Sequence, residues 1–128
     1  MGAFCILYHE KRQNIIVAVV GSRGETACPA LLRRLAELQP AGVISGGAQG
    51  VDTLAADWAR TQRVPLTELR PDYTTHGPTA APHVRNAEIV RRADLVLVVW
   101  DGRSKGTLSA LRAARRLGRA VELLPLDA

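Results

Sequence analysis

The chain has 128 residues, of which 47% are hydrophobic and only 4% aromatic, so a core of aliphatic side chains is expected. No apolar run reaches the roughly 18 residues that a membrane-spanning helix needs, and the N-terminal residues lack the basic region and cleavage site of a signal peptide. The net charge of +5 is spread along the chain, and two cysteines with three scattered histidines match neither a disulfide framework nor a metal-ligand spacing. We therefore expect a cytoplasmic protein with no metal site and no membrane partner.

The first half of the chain is predicted to alternate between buried strands and amphipathic helices. Residues 15–20 (IIVAVV) form a continuous β-branched run, which is typical of a strand buried on both faces. A helix is predicted over residues 28–38, where leucines recur on one side and Pro29 lies in the first turn. A second strand over residues 41–45 and a second helix over residues 50–62 follow.

The second half shows the same alternation around a proline-rich stretch. Residues 66–69 predict a short third strand. Residues 70–82 contain three prolines and a glycine, so we expect a long loop there, of a length that often serves function. The remaining predicted elements are a helix over 83–93, a strand over 94–100, a helix over 104–118 that stops at Gly118, and a strand over 120–124.

Strands that alternate with helices along a whole chain are typical of the α/β class, in which helices cover both faces of a mainly parallel sheet. Five strands are predicted, and we expect a single domain over residues 15–128. Residues 1–14 stand outside the alternation and are expected to form an N-terminal arm or an edge strand.

Three of the predicted strands end in turns rich in glycine or hydroxyl residues, at residues 21–24 (GSRG), 45–50 (SGGAQG) and 101–107 (DGRSKGT). One such turn alone is better explained as a tight connection, but three at the same sheet edge favour an anion site made of main-chain N–H groups and helix N-termini. None of the three matches the dinucleotide or phosphate-loop glycine motifs, so NAD or ATP binding of the usual kind is not indicated.

These turns and the region before the third predicted helix supply the candidate ligand contacts. Asp52 is expected either to cap its helix or to bind a ribose hydroxyl or base, and Arg85 either to clamp a phosphate or to lie on the surface. Tyr73 is a candidate for stacking on a base. The candidate nucleotide- and phosphate-binding residues are Gly21, Ser22, Arg23, Ser45, Gly46, Gly47, Gly50, Asp52, Tyr73, Arg85, Asn86, Asp101, Ser104, Gly106 and Thr107.

Three segments resemble the SLOG superfamily, which is named after Smf/DprA and the Lonely Guy (LOG) enzymes. They are residues 17–24 (VAVVGSRG), residues 43–59 (VISGGAQGVDTLAADWA) and residues 85–107 (RNAEIVRRADLVLVVWDGRSKGT). The chain is most similar to the small stand-alone YspA-type branch, and the resemblance extends over residues 15–124. It implies a Rossmann-like, doubly wound fold that binds a nucleotide or a nucleotide-derived ligand between the glycine turns.

The resemblance also implies an enzymatic alternative, because LOG-type phosphoribohydrolases cleave nucleoside monophosphates with an Arg-Lys pair and a P-G-G-x-G-T-x-x-E motif. This chain has Arg85 but Asn86 in place of the lysine, and Ala110 stands where the glutamate would be. Cleavage of an N-glycosidic bond needs a nearby carboxylate, so Glu88 or Asp52 would have to replace it. We therefore expect a sensor or carrier rather than an enzyme, with no cofactor beyond the nucleotide ligand itself.

A further alternative implied by the resemblance is DprA-like binding of single-stranded DNA, which the Arg85-Asn86 pair resembles. Such proteins combine a basic groove with aromatic platforms. Trp58 and Trp100 are predicted to lie in buried elements, which leaves Tyr73 as the stacking candidate near the site. We therefore rank nucleic acid below a small nucleotide as the partner, and we expect a homodimer or a higher homo-oligomer.

Overall fold

The computed structural model describes residues 14–125. The predicted N-terminal arm or edge strand therefore lies outside the described residues, apart from Asn14. No helix in the described part of the chain is both long and apolar enough to cross a membrane.

Five strands and four helices alternate along the described residues, in the order that the sequence predicts. The strands are β1 (Ile16–Gly21), β2 (Gly42–Ser45), β3 (Leu66–Glu68), β4 (Leu95–Val99) and β5 (Ala120–Leu124). The helices are α1 (Pro29–Leu38), α2 (Val51–Thr61), α3 (Tyr73–Arg92) and α4 (Lys105–Leu117). All strand pairs are parallel, and the order across the sheet is β3-β2-β1-β4-β5. The predicted Rossmann-like α/β fold is confirmed.

The sheet is buried on both faces because alternate residues of its central strands enter two separate cores. Val17 and Val19 of β1 pack with α1 and α2 on one face. Ala18 and Val20 pack with α3 and α4 on the other. The continuous β-branched run of β1 thus supplies both cores, which explains why it shows no alternation between apolar and polar residues.

The prediction of a loop over residues 70–82 is wrong, because α3 begins at Tyr73. The Asp72 side chain caps it by accepting a hydrogen bond from the Thr75 N–H at 3.1 Å. Gly77 (φ 80°, ψ 173°) then interrupts the helix, and Pro78 starts the longer segment that follows. Proline has no N–H to lose in a first turn, so the residue that indicated a loop starts a helical segment instead.

The two tryptophans pack against the two opposite cores of the sheet. Trp58 packs partly buried against the core under α1 and α2. Trp100 packs against the opposite core, and its indole Nε1–H donates to the Ser104 carbonyl oxygen at 3.0 Å. The turn that leads from β4 into α4 is therefore tied back to the end of its own strand.

Candidate functional site

A cavity of about 280 Å³ opens at the carboxyl ends of the central strands. The chain moves outward from β1 to β2 and β3, then returns to place β4 on the other side of β1. Crevices at such a reversal of strand order are the usual ligand sites of open α/β sheets. Of the candidate residues named from the sequence, this cavity brings together Gly21, Arg23, Gly46, Asp52, Arg85, Asn86, Ser104, Gly106 and Thr107.

Arg85 is held in place by main-chain oxygens from two other segments. Its Nη1 donates to the carbonyl oxygens of Gly46 at 3.0 Å and Leu69 at 3.2 Å, and its Nε donates to Asn86 Oδ1 at 2.8 Å. Asn86 in turn donates from Nδ2 to the Gly106 carbonyl oxygen at 3.3 Å. Nη2 of Arg85 makes no hydrogen bond to any residue in the range 14–125, so a fixed guanidinium with free N–H donors faces the cavity.

Asp52 supplies a carboxylate to the same cavity, although its side chain is nearly buried. Burial raises the pKa of Asp52, and the Ala48 N–H, which donates to Oδ2 at 3.1 Å, and the charge of Arg85 only partly offset this. Burial likewise lowers the pKa of Arg85 despite the attraction of Asp52. The two described side chains form no direct ion pair, so each charge is incompletely compensated within the protein.

Three glycines of the first two turns, Gly21, Gly46 and Gly50, are required by contacts inside the protein. A Cβ on Gly21 would lie 2.6 Å from the Val99 carbonyl oxygen, and one on Gly46 would lie 2.6 Å from Arg85 Nη1. Gly50 has a φ of 75°, and a Cβ there would lie 2.4 Å from the carbonyl oxygen of Ser22. These glycines therefore let segments of the chain, rather than a ligand, approach the main chain closely.

The turn after β4 is open by comparison. Ser104 Oγ caps α4 by accepting from the Thr107 N–H at 3.3 Å and from Thr107 Oγ1 at 3.0 Å. The N–H groups of Lys105 and Gly106 make no hydrogen bond within the described residues, as is usual in a first helical turn. Apart from its chain neighbours and the main chain of its own helix, no described atom lies within 4 Å of the position of a Cβ on Gly106. Two free main-chain donors at the positive end of a helix thus border the cavity.

Several other candidate residues make hydrogen bonds within the turns around the cavity but do not line it. Ser22 is buried, and its Oγ accepts a hydrogen bond from the Asp101 N–H at 3.3 Å. Ser45 is fully buried, and its Oγ accepts from the Gly47 N–H at 3.4 Å. Asp101 caps the segment before α4 through the N–H groups of residues 103 and 104. Together with Gly50, these residues shape the turns rather than line the cavity.

The remaining candidates lie away from it. The Tyr73 side chain is 55% exposed and does not line the cavity. Glu88 bonds to Arg91 and Arg92, and the hydrogen bond from Arg92 holds the pKa of Glu88 below its usual value. Ala110 is buried in the core that α3 and α4 share. Neither position 88 nor position 110 offers a carboxylate to the cavity.

Sequence reasoning missed four lining residues, Val20, Ala48, Ile89 and Lys105. Lys105 could have been found, because it stands between two candidate residues in the turn before α4. Val20 and Ile89 are apolar residues of buried elements, and no sequence signal separates them from the core. No group of three or more histidine, cysteine or acidic side chains that could hold a metal ion occurs between residues 14 and 125.

Comparison with known proteins gives a family match over part of the chain and a similar fold. The sequence model of the YspA, cpYpsA-related SLOG family matches residues 15–76. DNA processing protein A (DprA) from Streptococcus pneumoniae is similar in structure, with a TM-score of 0.63 and 22% identity over 86% of this chain and 50% of that protein. DprA from Helicobacter pylori, described for its single-stranded DNA binding mode, has a TM-score of 0.60 and 21% identity over 85% of this chain and 64% of that protein.

The chain thus spans about half to two thirds of the length of these two proteins. At such identities the likeness shows the fold alone. No curated protein matches the chain.

Proposed function

We propose, from the confirmed resemblance of this chain to the SLOG superfamily over residues 15–76, that it binds a nucleotide or a nucleotide-derived phosphorylated ligand as a sensor or carrier. One observation carries the proposal. The guanidinium of Arg85 and the free N–H groups at the start of α4 border one cavity at the reversal point of the sheet. Both are donors suited to phosphate oxygens, and they come from different elements.

The phosphate is expected between α4 and Arg85. The N–H groups of Lys105 and Gly106 would donate to it from one side and Arg85 Nη2 from the other, with the Arg23 side chain at the rim. A phosphate there would also compensate the charge of Arg85, whose pKa burial lowers. Binding would therefore relieve an electrostatic cost that the protein bears without a ligand.

Asp52 is expected to contact a different part of the ligand. A carboxylate repels phosphate, but it accepts hydrogen bonds from the hydroxyl groups of a ribose. Its Oδ2 already accepts from the Ala48 N–H, and the carboxylate has capacity for further donors. A ribose adjoining the phosphate would place hydroxyl donors within the same small cavity.

Hydrolysis of the N-glycosidic bond is the second candidate function, and the raised pKa of Asp52 favours it. A buried carboxyl group with a raised pKa is a candidate for a general acid or base. Asp52 rather than Glu88 would fill this role, because Glu88 is paired with arginines outside the cavity. Release of free base from a nucleoside monophosphate, and its loss in Asp52→Asn, would replace the carrier proposal with this one.

Binding of single-stranded DNA is a third candidate, supported by the binding mode described for DprA from Helicobacter pylori. Single-strand sites usually stack bases on aromatic side chains. No aromatic residue in the described range lines the cavity. A small nucleotide is therefore the better match to the cavity itself.

The test is a thermal-shift and calorimetric titration with nucleoside mono-, di- and triphosphates and ADP-ribose. A ligand at 100 times its Kd adds about 2.7 kcal/mol of stability, which raises the Tm of a domain of this size by on the order of 10 °C. We expect Arg85→Ala to abolish the shift. Arg33→Ala, which removes an exposed arginine of α1, is the matched control and should keep it. A flat response across the panel, from protein free of bound nucleotide, would refute the proposal.

A further inference from the structure

A second, larger concavity lies between α3 and α4, and we call it the α3–α4 groove. It has a volume of about 600 Å³. His83 of α3 faces Ser109 of α4 across it, with Nδ1 and Oγ 2.7 Å apart. Lys105, Arg112 and Arg116 line it along α4. The spacing of these three residues places them on one side of the helix.

The charges of this groove are not balanced. Lys105, Arg112 and Arg116 form no ion pair and no side-chain hydrogen bond within residues 14–125, and no acidic residue lines the groove. Four arginines elsewhere in the described chain, at positions 34, 60, 91 and 92, are paired with carboxylates. Three cations that share one groove without an anion repel each other, and this arrangement attracts a ligand of opposite charge.

The groove adjoins the cavity at the sheet edge, because Lys105 lines both. The cavity alone, at about 280 Å³, lies at the lower end of the roughly 300–1,000 Å³ usual for ligand pockets. A helix rises about 1.5 Å per residue, so Arg112 and Arg116 lie about 10 and 16 Å beyond Lys105 along α4. A ligand that begins in the cavity can therefore reach cationic groups well away from its first phosphate.

We propose that the α3–α4 groove is a second anion-binding subsite for the same ligand, which therefore carries two phosphate groups set apart, as a nucleoside 3′,5′-bisphosphate or a 5′-phosphorylated dinucleotide does. This inference rests on the proposed function, since the first phosphate occupies the cavity. Arg112 and Arg116 bind the second phosphate, and the His83–Ser109 pair offers it further hydrogen-bond donors. No aromatic side chain of the described residues lines the groove, which favours a small ligand over a nucleic-acid strand.

The experiment compares nucleoside 5′-monophosphates with the 3′,5′-bisphosphates of the same bases by calorimetry. The variant Arg112→Gln/Arg116→Gln removes the two groove charges. The variant Arg33→Gln/Arg115→Gln removes two charges from exposed helix positions outside the groove, so the net charge is matched. A charge-assisted hydrogen bond is worth about tenfold in affinity or more. We expect wild type and control to prefer the bisphosphate by about tenfold, and the groove variant to lose that preference while it binds the monophosphate as wild type does.

The other outcomes overturn the inference. Equal affinity of wild type for both ligands, or a preference that survives in the groove variant, would reject the second subsite and leave the proposed function standing. If the groove variant and the control lose the preference for the bisphosphate to the same extent, the preference would come from the net charge of the protein and not from the groove. Oligothymidylate serves as a probe for single-stranded DNA. If the groove variant binds oligothymidylate less tightly than wild type but binds both nucleotides equally well, the groove would be assigned to a nucleic-acid strand. Failure of every nucleotide to bind wild type would remove the proposed function and this inference together.

Discussion

The turn after β2 and the turn before α4 look alike in sequence but differ physically. In the first, at residues 45–50, Gly46 and Gly50 are surrounded so closely by the protein that a Cβ would collide with Arg85 or with main-chain carbonyls. In the second, at residues 101–107, a Cβ on Gly102 or Gly106 would have no described atom within 4 Å apart from chain neighbours and, for Gly106, the main chain of its own helix. One turn uses glycine to bring protein segments together, and the other leaves its main chain open. A glycine-rich turn is therefore evidence of a ligand only where the space beside it is empty.

The largest effect expected from this contrast is in Gly50→Ala. The change places a side chain at φ 75° and 2.4 Å from the carbonyl oxygen of Ser22, so both the dihedral angle and the packing oppose it. Strain of about 1–3 kcal/mol and overpacking of about 1–3 kcal/mol together predict a loss of about 2–6 kcal/mol in the free energy of unfolding. Urea denaturation measures it.

Gly102→Ala is the control for that prediction. Gly102 also has a positive φ, of 83°, but no atom crowds its Cβ position. It should therefore incur the backbone strain alone, about 1–3 kcal/mol. Equal losses in the two variants would show that the turn after β2 is no more tightly packed than the turn before α4.

This contrast also marks what the sequence could predict. The order of strands and helices was readable because runs such as that of β1 are continuous and because Gly118 and Pro29 stand at helix ends. The sequence did not predict that α3 begins at Tyr73, because prolines considered one at a time indicate a loop. In the structure, Asp72 caps the helix and Gly77 interrupts it just before Pro78.

The sequence predicted many of the residues that line the candidate site but not how they are arranged. Arg85 is 39 residues from Gly46, and no local pattern reveals that its guanidinium occupies the space beside that glycine. The same limit applies to Asp52, because its burial and the incomplete compensation of its charge depend on segments distant in the chain. The α3–α4 groove was not foreseen either, since His83 and Ser109 meet only when two helices pack.

Asp52, in the first turn of α2, and Asp101, in the turn before α4, are expected to respond to pH in opposite directions. An unfolded aspartate titrates near pH 3.9. Burial raises the pKa of folded Asp52, so its favourable contribution to stability is fully present below about pH 3.9 and is lost as the pH rises through the folded pKa. In Asp52→Asn this loss disappears, and the variant gains stability relative to wild type over that interval, by about 1.4 kcal/mol for each unit of pKa difference.

Asp101 provides the opposite case. The N–H groups of Arg103 and Ser104 lower the pKa of its carboxylate, so its contribution is present above about pH 3.9 and is lost as the pH falls through the folded pKa. Asp101→Asn should therefore be less stable than wild type near neutral pH, with the difference vanishing in acid. Urea midpoints for both variants between pH 3 and pH 7 measure the two slopes. A difference between Asp52→Asn and wild type that does not change with pH would mean that the charge of Asp52 is fully compensated within the protein, and the electrostatic argument for an anionic ligand would lose its basis.

The smallest effect on folding, and the most informative one on binding, is expected in Gly106→Ala. Alanine is favoured over glycine in helices by up to about 1 kcal/mol, and the open space beside Gly106 accommodates a methyl group, so the fold should gain about 0.5 kcal/mol. The same methyl group would stand beside the free N–H donors that border the cavity, and nucleotide affinity should fall. Gly24→Ala, at an equally open glycine outside the cavity, should leave affinity unchanged. If Gly106→Ala is more stable than wild type but binds nucleotides equally well, the start of α4 does not hold the phosphate. The turn before α4 would then be purely structural, as the turn after β2 is.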